Sequence, residues 1–284
     1  MRKLSLMWRK NKPDVIALCR QGFPKFVWQR QPAAWNSAAG MPVFCYHRAD
    51  PGVVDKDFSF LAENGYRTCT VDQCLNPAAE EHDDKRVMLT VDDGAQDLYR
   101  VLYPALKKYG FHAVAFVAPA FHQDQYDLPD DCRPCTWSEL KEMNDSGCVD
   151  VQAHTWSHRY IPNWPEPLDL VGIDSAFSRR VQEREVLDLK EELLRSKQVL
   201  EERLGHGVRH LAFPMYEGTV EAIRLARECG YVSCWWGTMP QRPLNRPDDS
   251  PFEMVRLDAQ WLRRLPGRGR RTLASVFKDR WARF

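Results

Sequence analysis

A chain of 284 residues with 44% hydrophobic content can bury a sizeable core, and its length suits one large α/β domain without forcing two. No run approaches eighteen consecutive apolar residues, so the sequence predicts no membrane-spanning helix. Nine cysteines at irregular spacings, and a basic N-terminus with no apolar h-region behind it, argue against a secreted disulfide framework and for a cytoplasmic setting.

The net charge of +1 is unevenly spread. Residues 1–32 carry eight Lys/Arg against Asp14 alone, and residues 261–284 carry eight against Asp279, which leaves an acidic middle. Both basic ends interleave their cations with large apolar residues, among them Trp8, Phe26 and Trp28 at one end and Trp261, Phe277 and Trp281 at the other. That mixture suits a segment lying peripherally on an anionic membrane surface, at its inner face, while plain packing on the body is the bland alternative. The acidic middle disfavours nucleic acid as a partner. The composition divides the chain into a basic extension (1–40), a body (41–258) and a basic aromatic tail (259–284).

In chain order, 11–22 reads as a short helix with Pro13 early and Gly22 as its stop. Residues 41–46 form the first strand, 57–65 a helix and 66–71 a second strand, followed by a charged loop over 76–86. Val87 to Val91 is an apolar strand that ends in Asp92, Asp93 and Gly94. The periodicity of Leu98, Val101, Leu102, Ala105, Leu106 and Tyr109 predicts a helix over 95–109, kinked by Pro104 and closed by Gly110. Residues 113–117 are a strand and 120–135 a polar loop, in which Cys132 and Cys135 have a metal or redox spacing but no second pair. After the strand that begins at Val149, residues 160–184 give no clear pattern. Residues 184–204 form the longest helix, and strands at 211–214, 231–235 and 254–257 enclose a helix over 220–229. Strands alternating with helices predict a parallel sheet.

Two strand ends carry the chemistry. Neighbouring side chains on a strand point to opposite faces, so Asp92 and Asp93 can converge only if the backbone breaks there, which Gly94 permits. Held together, two carboxylates repel unless a cation or a proton intervenes. An ordinary Asp-Asp-Gly turn is the competing reading. The second strand runs into His154 and His158, which a helical turn would place on one face. Two histidines with a carboxylate make a three-ligand divalent-metal site that keeps positions open for water and substrate.

The stretch Thr90-Val91-Asp92-Asp93-Gly94 resembles the T-F-D-D-G motif of the polysaccharide deacetylases, the NodB-homology group of carbohydrate esterases, and the stretch from His154 to His158 resembles their H-[ST]-x-x-H motif. Thr136 to Gly147 resembles the family's approach to that motif, Leu211 to Tyr216 its F-A-Y-P-Y-G form of the third motif, and Phe44 to Arg48 its Tyr-His strand end. The resemblance covers roughly 41–258 and implies a distorted (β/α)7–8 barrel with its chemistry at the C-terminal strand ends. It implies Asp93, His154 and His158 as ligands of a divalent metal, zinc by default with nickel or cobalt equally suited to the donors, and Asp92 as the base. It also implies removal of an N-acyl group, usually acetyl, from an amino sugar in a glycan.

This chain departs from the pattern in two places. The family's late Leu-x-x-His is missing, and Ala212 stands where the third motif has Arg. His47 is the candidate acid in compensation, with a core histidine as the alternative. Pro214, Tyr216 and Trp137 are candidate substrate contacts, Tyr216 occupying the motif's glycine position. A cytoplasmic setting beside a membrane points to a lipid-linked or nucleotide-linked sugar. The other readings are an amidase of a small non-sugar substrate and a degraded relative that binds glycan without hydrolysing it.

Overall fold

A computed structural model of the protein describes residues 22–30, 40–76, 85–240 and 242–282, with only the backbone for 280–282. The helix expected over 11–22 lies outside the described residues. In chain order the strands are β1 (Val43–Tyr46), β2 (Arg67–Thr68), β3 (Arg86–Asp92), β4 (Ala113–Val117), β5 (Val149–Ala153), β6 (Arg159–Tyr160), β7 (Glu166–Pro167), β8 (His210–Ala212), β9 (Ser233–Trp235) and β10 (Leu257–Asp258). Eight of them make one parallel sheet in the order β10-β1-β3-β4-β5-β8-β9, with β2 added on β3. The sheet curls until its ends meet, because Met254 bridges to Trp235 while Leu257 pairs with Phe44. The expected α/β barrel of the NodB type is therefore present, with the segment 254–258 closing it.

Strand alternation decides what faces inward. Along β3, Val87, Leu89 and Val91 join the main core between sheet and helices, whereas Met88 joins a smaller inner cluster with Val43, Val114, Phe116, Ala212 and Trp235. Thr90 and Asp92 share the parity of Met88. All seven residues of β3 are buried, as expected for a central parallel strand covered on both faces. Asp92 thus enters the barrel from the interior face, at the strand's C-terminal end.

Several elements differ from the sequence expectation. The first body helix begins at Pro51, not 57, because Asp50 caps it by accepting from the Val53 N–H and Pro51 fits its first turn. The expected strand over 66–71 shrinks to β2, since a Thr70–Gln73 capping box starts a helix at Val71. Pro104 is resolved upstream: Leu98–Leu102 forms a π turn before the α-helix Tyr103–Tyr109. The longest helix begins at Leu189, capped by Asp188, and a separate helix Ser175–Glu183 precedes it.

The basic ends pack on the body. Phe23, Phe26 and Val27 share the main core with Trp261, Leu262, Leu265 and Val276. Arg263 pairs with the buried carboxylate of Asp57 at 2.7 Å, and the Arg264 and Arg270 guanidiniums donate to backbone carbonyls of residues 26–30.

Candidate active site

At the end of β3 the backbone turns one residue earlier than glycine alone would require. Asp93 itself adopts φ 73°, followed by Gly94 at φ 67°. Left-handed geometry at a non-glycine residue is strained, and such strain gathers at functional sites. With the backbone so turned, the two neighbouring carboxylates converge, Asp93 Oδ1 at 3.6 Å and Asp92 Oδ2 at 3.8 Å from His154 Nε2. Gly94 is required for a second reason: a Cβ there would lie 2.8 Å from the His122 ring and 2.9 Å from Val117 Cγ1.

The histidine pair is built differently from expectation. Residues 154–158 form no helical turn; they are a loop in which Thr155 (φ 63°) and His158 (φ 52°) are left-handed. Spacing alone could not reveal this, since loop geometry depends on what fastens the loop. Here Glu192, buried on the helix Leu189–Leu204, accepts from the Ser157 N–H at 2.6 Å and from its hydroxyl. Arg159 donates to the Ser157 hydroxyl, and Gln182 Nε2 donates to the carbonyls of Ser157, His158 and Leu168.

The loop brings three donors together. Asp93 Oδ1 lies 3.6 Å from His154 Nε2 and 3.3 Å from His158 Nε2. The other imidazole nitrogens face carbonyls: His154 Nδ1 meets Ala212 O at 2.9 Å and His158 Nδ1 meets Leu168 O at 3.2 Å. Donation at Nδ1 leaves both Nε2 lone pairs aimed at Asp93. Asp93 Oδ1 is buried with no hydrogen-bond partner, while its Oδ2 accepts from the Val171 N–H at 2.7 Å. Donors about 2.0–2.1 Å from a tetrahedral ion stand roughly 3.3 Å apart, so this set fits a divalent cation. Burial pulls His154 down to about 4, keeping it neutral. Burial opposes charge on His158 as well, but the adjacent Asp93 carboxylate outweighs it and raises the group.

Asp92 is held apart by a residue the sequence reading missed. Arg256, completely buried, places Nη1 2.6 Å from Asp92 Oδ1 and donates Nε to Trp236 O at 3.2 Å. Burial works against the Asp92 charge, yet Arg256 and the nearby histidines hold the carboxyl below its ordinary value. Asp92 Oδ2 faces the donor set, 3.8 Å from His154 Nε2, and lies 4.0 Å from His47 Nε2. The available signal was an arginine set inside the apolar run Met254-Val255-Arg256-Leu257, since arginine is almost never fully buried without a partner.

His47 stands at the end of β1, partly exposed, with its Nδ1 3.4 Å from the Tyr216 hydroxyl. Met215 (φ 54°) and Tyr216 (φ 64°) are both left-handed, so the phenol occupies a backbone position that suits the motif's glycine. The Arg256 guanidinium lies over the rings of Tyr216 and Phe116. Pro214 is buried at the start of this turn. Trp137 stays outside the site: it is buried against His122 and covered by the Arg203 guanidinium.

A cavity of about 1190 Å³ opens over these groups. Asp93, His154, His158, His47 and Tyr216 line it, together with residues 166–171, Arg179 and Val186 from the stretch after the histidine loop. That stretch had no readable role in the sequence; it both walls the cavity and supplies the Leu168 carbonyl and Val171 N–H that brace the donors. The Cys132–Cys135 pair lies elsewhere, Cys135 buried with its thiol on Ala95 O.

A family model for polysaccharide deacetylases matches residues 79–234. The chain belongs to the polysaccharide deacetylase family. Among curated relatives, it is 26% identical to YxkH of Bacillus subtilis (strain 168) over 212 residues, covering 70% of this chain and 66% of that protein. It is 30% identical over 115 residues to the poly-β-1,6-N-acetyl-D-glucosamine N-deacetylase of Escherichia coli (strain K12), covering 37% of this chain and 17% of that one. Alignment to the solved structure of IcaB from Ammonifex degensii gives a TM-score of 0.60 at 24% identity, over 86% of this chain and 97% of that one. A de-N-acetylase from Aggregatibacter actinomycetemcomitans gives 0.59 at 21%, over 84% and 98%. These structural likenesses establish the deacetylase fold.

Proposed function

We propose that this polysaccharide deacetylase homologue is a divalent-metal-dependent hydrolase that removes an N-acyl group, acetyl in the first instance, from an amino sugar. The observation that carries the reading is the buried, unpartnered Asp93 Oδ1 facing two histidine Nε2 atoms, beside a second carboxylate tied to Arg256. Held by Asp93, His154 and His158, a cation (zinc by default, nickel or cobalt on the same donors) supplies Lewis acidity to the acyl oxygen and acidifies a water.

The chain's own residues supply the proton transfers. Asp92 uses Oδ2 to take the proton from the attacking water, while Arg256 on Oδ1 keeps it ionised for that task. As water's oxygen bonds to the acyl carbon, the C–N bond breaks and the departing amine needs a proton, which His47, its Nε2 4.0 Å from Asp92 Oδ2, hands over. Tyr216, its phenol pushed well above the ordinary range by burial, stays protonated beside His47 and can orient it. The two sequence departures that favour a non-catalytic glycan binder thus each have a stand-in: Arg256 for the motif arginine and His47 for the late histidine.

The cavity supports a substrate larger than one sugar, for it exceeds the ~300–1,000 Å³ of usual small-molecule sites. This also weighs against a small non-sugar amide. Its lining mixes the apolar Val53, Pro167, Leu168, Val171 and Val186 with exposed charges at Arg48, Asp50, Asp169, Arg179 and Glu183. The apolar members offer contacts to the appendage of a lipid-linked amino sugar, and the charged ones to its polar groups. The eight described cysteines are free thiols, which supports action in a reducing compartment such as the cytoplasm.

The test is metal content and amine release from N-acetylated amino sugars, measured for the parent and for Asp93→Ala and His154→Ala. About one metal per parent chain, little in either variant, and release by the parent alone is the expected result. A parent that binds no zinc and releases no amine overturns the reading.

A further inference from the structure

The two basic ends meet on one face beside the cavity. Trp261 is buried, and three rings surround it: Phe23 at 5.3 Å, Trp28 at 6.4 Å and Phe277 at 5.8 Å. Two of them show a large fraction of their surface to solvent, Trp28 at 37% and Phe277 at 42%. Scattered exposed apolar side chains need no explanation, but two large aromatics sharing one buried neighbour form a patch.

The charge around the patch has one sign. Lys25, Arg30, Arg268 and Lys278 are exposed and form no ion pair among the described residues. Arg264 and Arg270 are satisfied by carbonyls of the 26–30 segment, Arg264 also by the Arg271 carbonyl and Arg270 by the Arg264 carbonyl, so their charge is not neutralised by a carboxylate. The local acid, Asp279, is taken by Arg271 at 2.6 Å. The face also adjoins the site. In the turn Ala259–Arg264, Ala259 and Gln260 line the cavity while the next residue, Trp261, underlies the patch.

We propose that residues 23–30 and 268–278 seat the protein on an anionic bilayer surface, with Trp28 and Phe277 at the interface and Lys25, Arg30, Arg268 and Lys278 on the headgroups. Amphipathic aromatic rings favour the boundary between headgroup and acyl chain, and unneutralised cations favour anionic lipid. Membrane seating brings the cavity mouth to the depth where the sugar of a lipid-linked substrate stands. The proposal rests on the lipid-linked reading for its purpose, but vesicle binding is measured independently of turnover. No helix among the described residues is long and apolar enough to cross a membrane, so seating is peripheral.

The experiment is sedimentation of the full chain with vesicles of phosphatidylcholine alone and of phosphatidylcholine mixed with phosphatidylglycerol. Binding to the mixed vesicles only, reduced about tenfold or more in both Trp28→Ser/Phe277→Ser and Lys25→Glu/Lys278→Glu, is the expected result. Both variants should keep the parental melting curve, metal content and turnover of a soluble N-acetylated oligosaccharide. Equal binding to neutral vesicles, no binding, or undiminished binding by the well-folded variants overturns the proposal. So does a parental dimer that the aromatic variant converts to monomer, since the face is then an interface between copies. Preference for RNA over anionic vesicles also counts against it. An inactive Asp93→Ala protein that still sediments leaves the seating intact and tests only the chemistry.

Discussion

Arg256 Nη1 stands 2.6 Å from Asp92 Oδ1, both side chains buried inside the barrel and the second guanidinium nitrogen without a partner. Removing one member of such a pair leaves an uncompensated buried charge, which costs ~3–5 kcal/mol. Arg256→Leu is expected to lose about that much stability in denaturant unfolding. Asp92→Asn/Arg256→Leu should recover part of it without recovering activity, because no charge is then stranded. The pH dependence follows from the sign of the shift. Asp92 lies below its ordinary value in the native state, so its stabilising contribution is complete above about pH 4 and fades as pH falls through the native value. Without Arg256, burial dominates and the acid limb of kcat/KM should move to higher pH. An unmoved limb argues against Asp92 as the base.

Metal affinity should depend on a single proton. His154 is drawn down to about 4 by burial, whereas His158 is raised by its Asp93 neighbour. Only His158 must therefore be deprotonated on binding across mildly acidic pH. Calorimetric zinc titrations should show log affinity falling with a slope near one per pH unit, about tenfold each. A slope near two shows that both histidines bind protons.

The braces behind the donors should matter nearly as much as the donors. Gln182→Leu releases the Leu168 carbonyl from the histidine loop, and Glu192→Ala leaves the Ser157 N–H without its acceptor. Each is expected to weaken metal binding about 10- to 100-fold. Gln182→Leu should also speed proteolysis within 160–184. Parental affinity in both variants shows that the loop holds itself.

Gly94→Ala combines a left-handed backbone with a methyl group placed 2.8 Å from the His122 ring. The expected loss is more than ~1 kcal/mol from the backbone alone, with a further ~1–3 from overpacking. Thermal unfolding checks it, and a neutral outcome shows that the strand end can relax.

His47→Gln separates acid from ligand. Turnover should fall about 10²- to 10⁴-fold while metal content stays parental. Loss of metal instead identifies His47 with the binding site.

The sequence by itself determined the strand-helix alternation and the parallel sheet, and it singled out Asp92, Asp93, His154 and His158 as candidates, because apolar runs ending in these residues are local patterns. His47 was legible too, as a strand-end histidine. Only the tertiary structure decided how they cooperate. Arg256 reaches Asp92 because 254–258 closes the barrel beside β1, a neighbourhood set by sheet order rather than by spacing. The histidine loop is shaped by Glu192 and Gln182 from two separate helices, so a helical spacing could not predict it. Trp137 looked like a sugar platform and is packed away from the cavity, since an aromatic's type does not fix which side of a helix the neighbouring loops leave open. Motifs specify which groups are present; long-range packing specifies which atoms meet.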